Sequence, residues 1–483
     1  MLTELATYLP ILPELIVLVG AMAILMIGVF GPETNEAGER AGWLSILVLI
    51  AAGLLIATSD GAATALFDGA FVTNAFTRFM KLLVLGGAAI ALMLAFDEFR
   101  RYDIMRFEYP VLVLLATAGM MIMVSANDLI ALYLGLEMQS LALYVIAAYR
   151  RDDVKSSEAG LKYFVLGALA SGMLLYGASL IYGFTGSVNF GVIANAAKGA
   201  DAAQNLWLIF GLVFLLVGLA FKVSAVPFHM WTPDVYEGSA TSVTAFFAAA
   251  PKVAAMALFT RTMLDAFPGI GPQWQQIVTF IAIASMLLGA FAAIGQTNIK
   301  RLMAYSSIAN IGFALVGLAA NTAAGAQGVA VYMAIYMVMT LGVFACILAM
   351  RRDGKAIEDI DELSGLAQTN LPMAVALMIL MFSMAGIPPL MGFWAKYYVF
   401  LAAVQAGLWP LAIIGVLASV IGVFYYLNII SKMFFADARA PFDAIPSRTY
   451  AVMIVAATAM LIGFVALGPF SDAAEAAAKS FRF

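Results

Sequence analysis

The sequence predicts an all-α integral membrane protein: fourteen transmembrane helices, two of them discontinuous, built around two inverted five-helix repeats. Three observations carry this expectation. Of 483 residues 64% are hydrophobic and 11% charged, with a mean hydropathy of +0.98, whereas a soluble domain is about 45–50% apolar. Apolar stretches of about 20 residues, the length that crosses a bilayer, follow one another along the chain. Prolines then interrupt two stretches that are too long for single spans. Length alone would fit about three soluble domains, but the short loops favour one continuous bundle. The expected segments are a three-helix segment at 1–108, a first five-helix repeat at 109–265, a second, inverted repeat at 266–434, and a C-terminal helix at 435–483.

The first span, 10–30, overlaps the opening MLTELATYLPILPEL, which carries Glu4 and Glu14 and no basic residue. A secretory leader needs a positive start, so the stretch is expected to be a retained first helix. Spans at 43–59 and 75–96 complete the first segment. Spans at 109–126, 128–148, 159–184, 205–231 and 241–265 make the first repeat. Those at 274–295, 301–320, 327–350, 371–405 and 410–434 make the second, and 449–468 closes the chain. In 205–231 the run GLAFKVSAVPFHMWTPDVYEG places Pro227 in the interior, where proline removes a donor and clashes with the preceding turn. In 371–405 the run FSMAGIPPLMGFWAKYYVF places Gly386, Pro388 and Pro389 likewise. Irregular backbone at membrane depth persists only where protein buries it or water lines it. Both breaks fall in the fourth helix of a unit of five. Five is odd, so the second unit is expected to run the opposite way, the pattern that points to a transporter's site. Similarity between the units is weak, and two unrelated proline kinks are the alternative.

Basic residues orient the bundle. With both termini outside, fifteen of the 25 lysines and arginines fall on inner loops, among them Arg40, Lys300 and Arg351. Five fall outside (Arg78, Lys198, Arg261, Lys479, Arg482) and five within spans. The bias supports an even helix count. A net charge of −4 without a basic patch argues against a nucleic-acid partner, and one cysteine excludes disulfides within the chain and multi-cysteine metal sites. With one histidine besides, no redox cofactor is expected in this chain.

Glu137, Lys222, Lys252, Lys396 and Lys162 stand inside these apolar spans. A charge at mid-membrane costs about 2.5–3.5 kcal/mol on insertion scales, so each needs a partner, a watery pocket or a purpose. The default purpose is a path for protons or cations. Lys222 lies five residues before Pro227, near the negative end of a half-helix, and Glu137 is expected to face it, directly or through one water, as a switchable pair. A static ion pair is the alternative. Lys252 follows Pro251 among alanines and phenylalanines, an environment that favours a neutral amine. It is either a central relay or a lysine bonded to broken-helix carbonyls. Lys396, seven residues past Pro389, is placed as a terminal gate, with snorkelling as the alternative. Lys162, one turn from Glu158, is either a proton-uptake group or a snorkelling anchor. His229 either bridges Lys222 and Lys252 or packs as a hydrogen-bonded residue. Tyr305, Ser306, Ser307 and Asn310 either hold relay water or pack helices. Lys81 and Arg78 are expected to anchor at the outer surface, and Asp234 and Glu237 to cap an inner loop.

The fourteen-helix plan, the FKVSAVPFHMWTPDVYEG and FSMAGIPPLMGFWAKYYVF segments and the Pro251–Lys252 pair resemble the antiporter-like membrane subunits of bacterial respiratory complex I over essentially the whole chain. Among them subunit N is most similar, counterpart of the mitochondrially encoded second ND subunit. Moderate length without a long C-terminal amphipathic extension argues against subunit L, and lysine rather than glutamate at 396 argues against subunit M. The resemblance implies a proton-translocating subunit of NADH:quinone oxidoreductase in the bacterial inner membrane. Glu137 and Lys222 would be the coupling pair, Lys252 the central lysine, Lys396 the outlet, and Lys162 and His229 connecting groups. It also implies K-like and M-like neighbours and surrounding lipid, with FMN, iron–sulfur clusters and quinone in partner subunits. A subunit of a sodium/proton antiporter of the same fold is the alternative, and a structural spacer a third.

Overall fold

The computed structural model describes residues 8–59, 61–198 and 205–481; Glu4 and Arg482 lie outside them. The helices are α1 (Leu12–Val29), α2 (Asn35–Ala57), α3 (Ala75–Arg101), α4 (Glu108–Ser125), α5 (Leu129–Ala147), α6 (Val154–Thr185), α7 (Phe190–Ala196), α8 (Leu206–Val223), α9 (Trp231–Gly238) and α10 (Thr241–Ala248). They continue as α11 (Ala250–Arg261), α12 (Gly271–Ile294), α13 (Ile299–Ala319), α14 (Ala323–Ala349), α15 (Leu371–Ala385), α16 (Met391–Gln405), α17 (Trp409–Phe435), α18 (Ser447–Val465) and α19 (Gly468–Ala478). Thirteen helical segments among the described residues are long and apolar enough to cross a membrane, and Leu371–Ala385 is a shorter apolar helix.

Polar caps start these helices where the apolar runs alone give no boundary. Asn74 and Thr77 form a reciprocal capping box on α3, and Asp128 and Asn298 accept backbone N–H groups at the starts of α5 and α13. The Thr34 cap begins α2 at Asn35, eight residues before the expected span. Glycines allow close crossings: a Cβ on Gly119 of α4 would meet the Gln139 backbone N of α5 at 2.5 Å, and one on Gly289 of α12 the Ala309 N of α13 at 2.6 Å. The centre of the molecule is α10–α11, α13 and α14, whose apolar windows are 100%, 94% and 94% buried, against 28% for the first span. Lipid-facing helices therefore surround a protein-lined interior, and Lys222, Lys252 and Lys396 lie in it.

The break expected in 205–231 is present: α8 ends at Val223, because Ser224 takes a left-handed conformation (φ 64°), Pro227 lies in the gap, and helix resumes at Trp231. Two other expectations are corrected. The expected span 241–265, read as continuous, is itself broken: Ala249 (φ −103°, ψ −95°) separates α10 from α11, and a π-helical turn follows at Thr262–Ala266. The chain is also not purely helical, since β1 (Thr64–Leu66) pairs antiparallel with β2 (Phe71–Thr73), and β3 (Arg351–Arg352) with β4 (Lys355–Ala356). In the remaining interrupted span Gly386 (φ 82°) closes α15, and Pro388 and Pro389 lead to α16.

Candidate functional site

The first break leaves the last carbonyls of α8 without intrahelical partners, and side chains from several elements supply them. Trp231 Nε1 donates to Phe221 O at 3.0 Å and Lys252 Nζ to Val223 O at 3.0 Å. Ser285 of α12 accepts the Val226 N–H at 2.9 Å. The second break repeats the arrangement: Lys396 Nζ donates to Ala385 O, the last residue of α15, at 2.8 Å, and to Ser419 Oγ at 2.7 Å. Each ammonium thus lies at the negative end of a half-helix. Neither meets a carboxylate within ion-pair distance among the described residues. Their remaining surroundings are aromatic. The Phe313 ring lies 4.8 Å from Lys396 Nζ, and the Trp231 and Tyr236 rings 5.9 and 6.0 Å from Lys252 Nζ. Lys222, Lys252 and Lys396 are 8, 1 and 8% exposed, so none projects into lipid.

Glu137 and Lys222 do not form the direct pair. The Lys222 ammonium donates to Ser140 Oγ at 2.6 Å and Tyr144 OH at 3.4 Å, one and two turns along α5 from Glu137. The carboxylate acts on it electrostatically, while Glu137 Oε1 is buried without a hydrogen-bond partner. The Ser140 hydroxyl in turn donates to the Leu136 carbonyl, which fixes it as an acceptor for lysine. Ser140 and Tyr144 were missed at the sequence level because hydroxyls on an apolar helix carry no hydropathy signal. Their signal is spacing, three and seven residues from Glu137 on one helical face.

Between Lys252 and Lys396 the polar residues of α13 form a ladder of two hydrogen-bonded clusters. Tyr236 OH sits beside Ser307 and Tyr336 and makes no hydrogen bond in this arrangement. Tyr336 OH donates to Ser307 Oγ at 2.8 Å, and Tyr332 OH to Asn310 Oδ1 at 2.7 Å. Asn310 Nδ2 donates to Ser306 O at 2.8 Å, and Ser306 Oγ lies 2.6 Å from Tyr426 OH. A cavity of about 10 Å³, the smallest size that holds one water, is lined by Asn310, Tyr426, Ser419 and Lys396. Ser307 thus belongs to one hydrogen-bonded cluster, with Tyr336, and Ser306 and Asn310 to a second, with Tyr332 and Tyr426. Tyr305 packs at the edge of the ladder without a hydrogen bond in it.

Lys162 is 41% exposed and pairs at 2.7 Å with both Glu158 and Asp234, on the wall of an open cavity lined also by Lys155 and Glu237. Asp234 and Glu237 are not loop caps. They hold Lys162, Lys155 and Arg301 in one ion-pair cluster at 2.7–3.2 Å. His229 is half-buried, with Nδ1 unpartnered, and bonds neither Lys222 nor Lys252. Lys81 is not a surface anchor: its ammonium lies 2.5 Å from Glu14, both side chains 1% exposed. Arg261, placed on the outer side by charge counting, is 1% exposed and donates to Val124 O, Ala126 O, Asn127 Oδ1 and Asp265 Oδ2.

Residues 126–422 match the profile of the family described as NADH:quinone oxidoreductase/Mrp antiporter, TM. The chain is 58% identical over 474 residues to NADH-quinone oxidoreductase subunit N of Parvibaculum lavamentivorans, covering 98% of this chain and 97% of that one. It is 53% identical over 477 residues to subunit N of Rhodospirillum rubrum, covering 98% and 97%. A chain of respiratory complex I from Thermus thermophilus superimposes with a TM-score of 0.82 at 32% identity, covering 96% and 99%. A chain of the Mrp complex from Dietzia sp. DQ12-45-1b does so with 0.87 at 23% identity, covering 99% and 97%, a likeness of fold alone. By these matches the chain belongs to the NADH:quinone oxidoreductase/Mrp antiporter transmembrane family, and within it to the NADH-quinone oxidoreductase subunit N proteins.

Proposed function

We propose that this chain moves protons across a bacterial inner membrane along Glu137, Lys222, Lys252 and Lys396, with the hydroxyl and amide ladder of α13 and α14 joining the last two. It is a proton-translocating membrane subunit of NADH:quinone oxidoreductase, acting beside other membrane subunits of that complex. Its neighbours are taken to be K-like and M-like subunits and lipid. FMN, iron–sulfur clusters and quinone chemistry are assigned to partner subunits. The observation that carries the path is that Lys252 and Lys396 are buried on half-helix carbonyls with no counter-carboxylate among the described residues. Such an amine holds or releases a proton at modest cost, because its acceptors are neutral dipoles rather than a fixed charge. Lys222 beside Ser140, Tyr144 and the electrostatic reach of Glu137 is the coupling point. Lys162 sits at the solvent-facing cavity as the uptake group, and His229 lies between the first two lysines in sequence as a connecting residue.

The same reading takes fourteen crossings, counting α15 and α16 as one, with both termini on the outer side. It divides them into an N-terminal segment at 1–108, five-helix units at 109–265 and 266–434, and a C-terminal helix at 435–483. Internal repetition supports the two units. Leu129 N–H donates to Val188 O at 3.0 Å and Phe190 N–H to Asn127 O at 2.9 Å. Ile299 N–H donates to Glu358 O at 2.8 Å and Ile360 N–H to Thr297 O at 2.9 Å. The spacing is constant, 129 to 299 and 188 to 358. At the same spacing Glu137 corresponds to Ser307 and Ser140 to Asn310, which explains why the second unit's ladder carries no carboxylate. Each unit's break also opens on a left-handed residue, Ser224 or Gly386, with a proline three residues on.

The test is Lys252→Ala in the assembled enzyme reconstituted in liposomes, with proton uptake measured beside NADH oxidation. Loss of most NADH-driven pumping is expected; unchanged pumping would leave only a spacer role. The sodium/proton antiporter alternative has behind it the shared family profile and the fold likeness to the Mrp chain. A sodium requirement without NADH-linked electron flow would favour it.

A further inference from the structure

The two broken spans of the first unit meet where α9 ends and α10 begins, at residues 238–240. A helix C-terminus leaves carbonyls unpaired and carries partial negative charge; a helix N-terminus leaves N–H groups and carries positive charge. Two ionised side chains that the proton path does not use answer these demands. Lys300 Nζ donates to Glu237 O at 2.8 Å and Ser239 O at 2.7 Å, the end of α9. Glu98 accepts the Thr241 N–H at 3.3 Å and the Ser242 N–H at 2.8 Å, the start of α10. Both are buried, at 2 and 3% exposure.

Their counter-ions come from one short segment. Lys300 pairs with Glu358 at 2.9 Å and Glu98 with Arg351 at 3.4 Å, and both partners lie on or beside the β3–β4 hairpin. Lys300 also opens α13, the helix of Ser306, Ser307 and Asn310. One junction is thus gripped by a cation on its carbonyl side and an anion on its amide side, each tied to the segment that leaves α14. Downstream of it, ten residues from Ser242, stands Lys252; upstream, across the break, stands Lys222.

We propose that Glu98 and Lys300 are positioning residues for proton transfer: they clamp the α9–α10 junction and thereby hold the Lys222 and Lys252 half-helices in register with the ladder of α13. The proposal rests on the proton-path reading above. It assigns the hairpin at residues 351–358 a role in coupling the two five-helix units, because displacing it removes both counter-ions at once. Substituting either clamp residue shifts Lys252 relative to Val223 O and Tyr236 without touching any proton-carrying group.

The experiment compares Glu98→Gln, Lys300→Gln, Glu98→Asp, Lys300→Arg and Lys252→Ala in the assembled enzyme in liposomes. Proton pumping and NADH oxidation are measured across pH and normalised to bound flavin. Both glutamine variants are expected to pump about tenfold more slowly, as a misplaced relay does, with an altered pH profile. Glu98→Asp and Lys300→Arg are expected to restore most of the rate. Unchanged pumping and pH profile in both glutamine variants overturns the clamp. Should the glutamine variants not assemble, the counter-ion variants Arg351→Gln and Glu358→Gln are compared instead, and unchanged pumping and pH profile in both overturns the clamp equally. If Lys252→Ala pumps normally, the proton path fails; if it does not pump while the glutamine variants do, only the clamp fails.

Discussion

Lys396 shows how tightly one residue's surroundings specify its position. Its ammonium is placed by Ala385 O and Ser419, and its stem passes Gly386, where a Cβ would come within 2.8 Å of Lys396 Cδ. Gly386 also has φ 82°, a conformation that costs an L-residue about 1–2 kcal/mol. Gly386→Ala is therefore expected to destabilise the second break by about that amount and to displace Lys396 from its carbonyl. Thermal unfolding of the purified complex and its pumping rate check the two effects separately. The Glu14–Lys81 pair is a different kind of site, fully enclosed and far from the ladder. Removing one partner of such a pair leaves an uncompensated buried charge and costs about 3–5 kcal/mol, whereas apolar replacement of both is often neutral. Glu14→Gln should lower the yield of assembled enzyme sharply, and the double substitution Glu14→Leu with Lys81→Met should recover it. A double variant no better than the single one would show that the pair's charges are themselves needed. In the sequence these two residues are indistinguishable from interfacial anchors, because they lie near the ends of their spans. Only the fold reveals that α1 and α3 bring them together.

At the scale of elements, the breaks at Pro227 and at Pro388–Pro389 were legible because proline inside an apolar run has one structural meaning. The break at Ala249 was not. Pro251 stands at the start of α11, where proline is tolerated, and alanines on either side give no sign of a discontinuity. The ladder was half legible: α13 displayed its serines and asparagine, but their partners Tyr332, Tyr336 and Tyr426 come from α14 and α17, and nothing in one sequence pairs them. The β3–β4 hairpin was invisible, since its arginines counted only as topology signals. That hairpin is latched at its outer edge by Glu362, which takes Arg352 at 2.9 Å and Arg439 at 2.5 Å. The Arg352 hydrogen bond, with Arg439 beside it, holds the Glu362 carboxyl below its ordinary value. A depressed carboxyl contributes stability that is present above the unfolded value of about 4.3 and is lost as pH falls through the lower folded value. Protection of the amides at residues 351–363, taken relative to the intrinsic exchange rate at each pH, should therefore hold from neutrality down past pH 5 and fall only at lower pH. In Glu362→Gln, exchange should be fast at neutral pH as well.

At the scale of the whole molecule, lipid-facing helices enclose a core in which three lysines, a glutamate and a string of hydroxyls are the polar content that counts. The bulk class, the near-complete set of spans and the principal lysines followed from the contrast between charge and apolar surroundings. Of the partners of those lysines, the broken-helix carbonyl of Lys252 was among the readings, but Ser140, Tyr144 and Ser419 were not, because the fold alone brings those hydroxyls to the lysines. The central claim is that these amines gain and lose protons as the enzyme turns over. Solid-state nitrogen NMR of lysine-labelled enzyme in lipid tests it most directly, with Lys222, Lys252 and Lys396 assigned by single substitutions. Neutral-amine signal that interconverts with ammonium signal between the resting enzyme and NADH-driven turnover is the expected result. Three lysines that stay fully protonated in both conditions would contradict it.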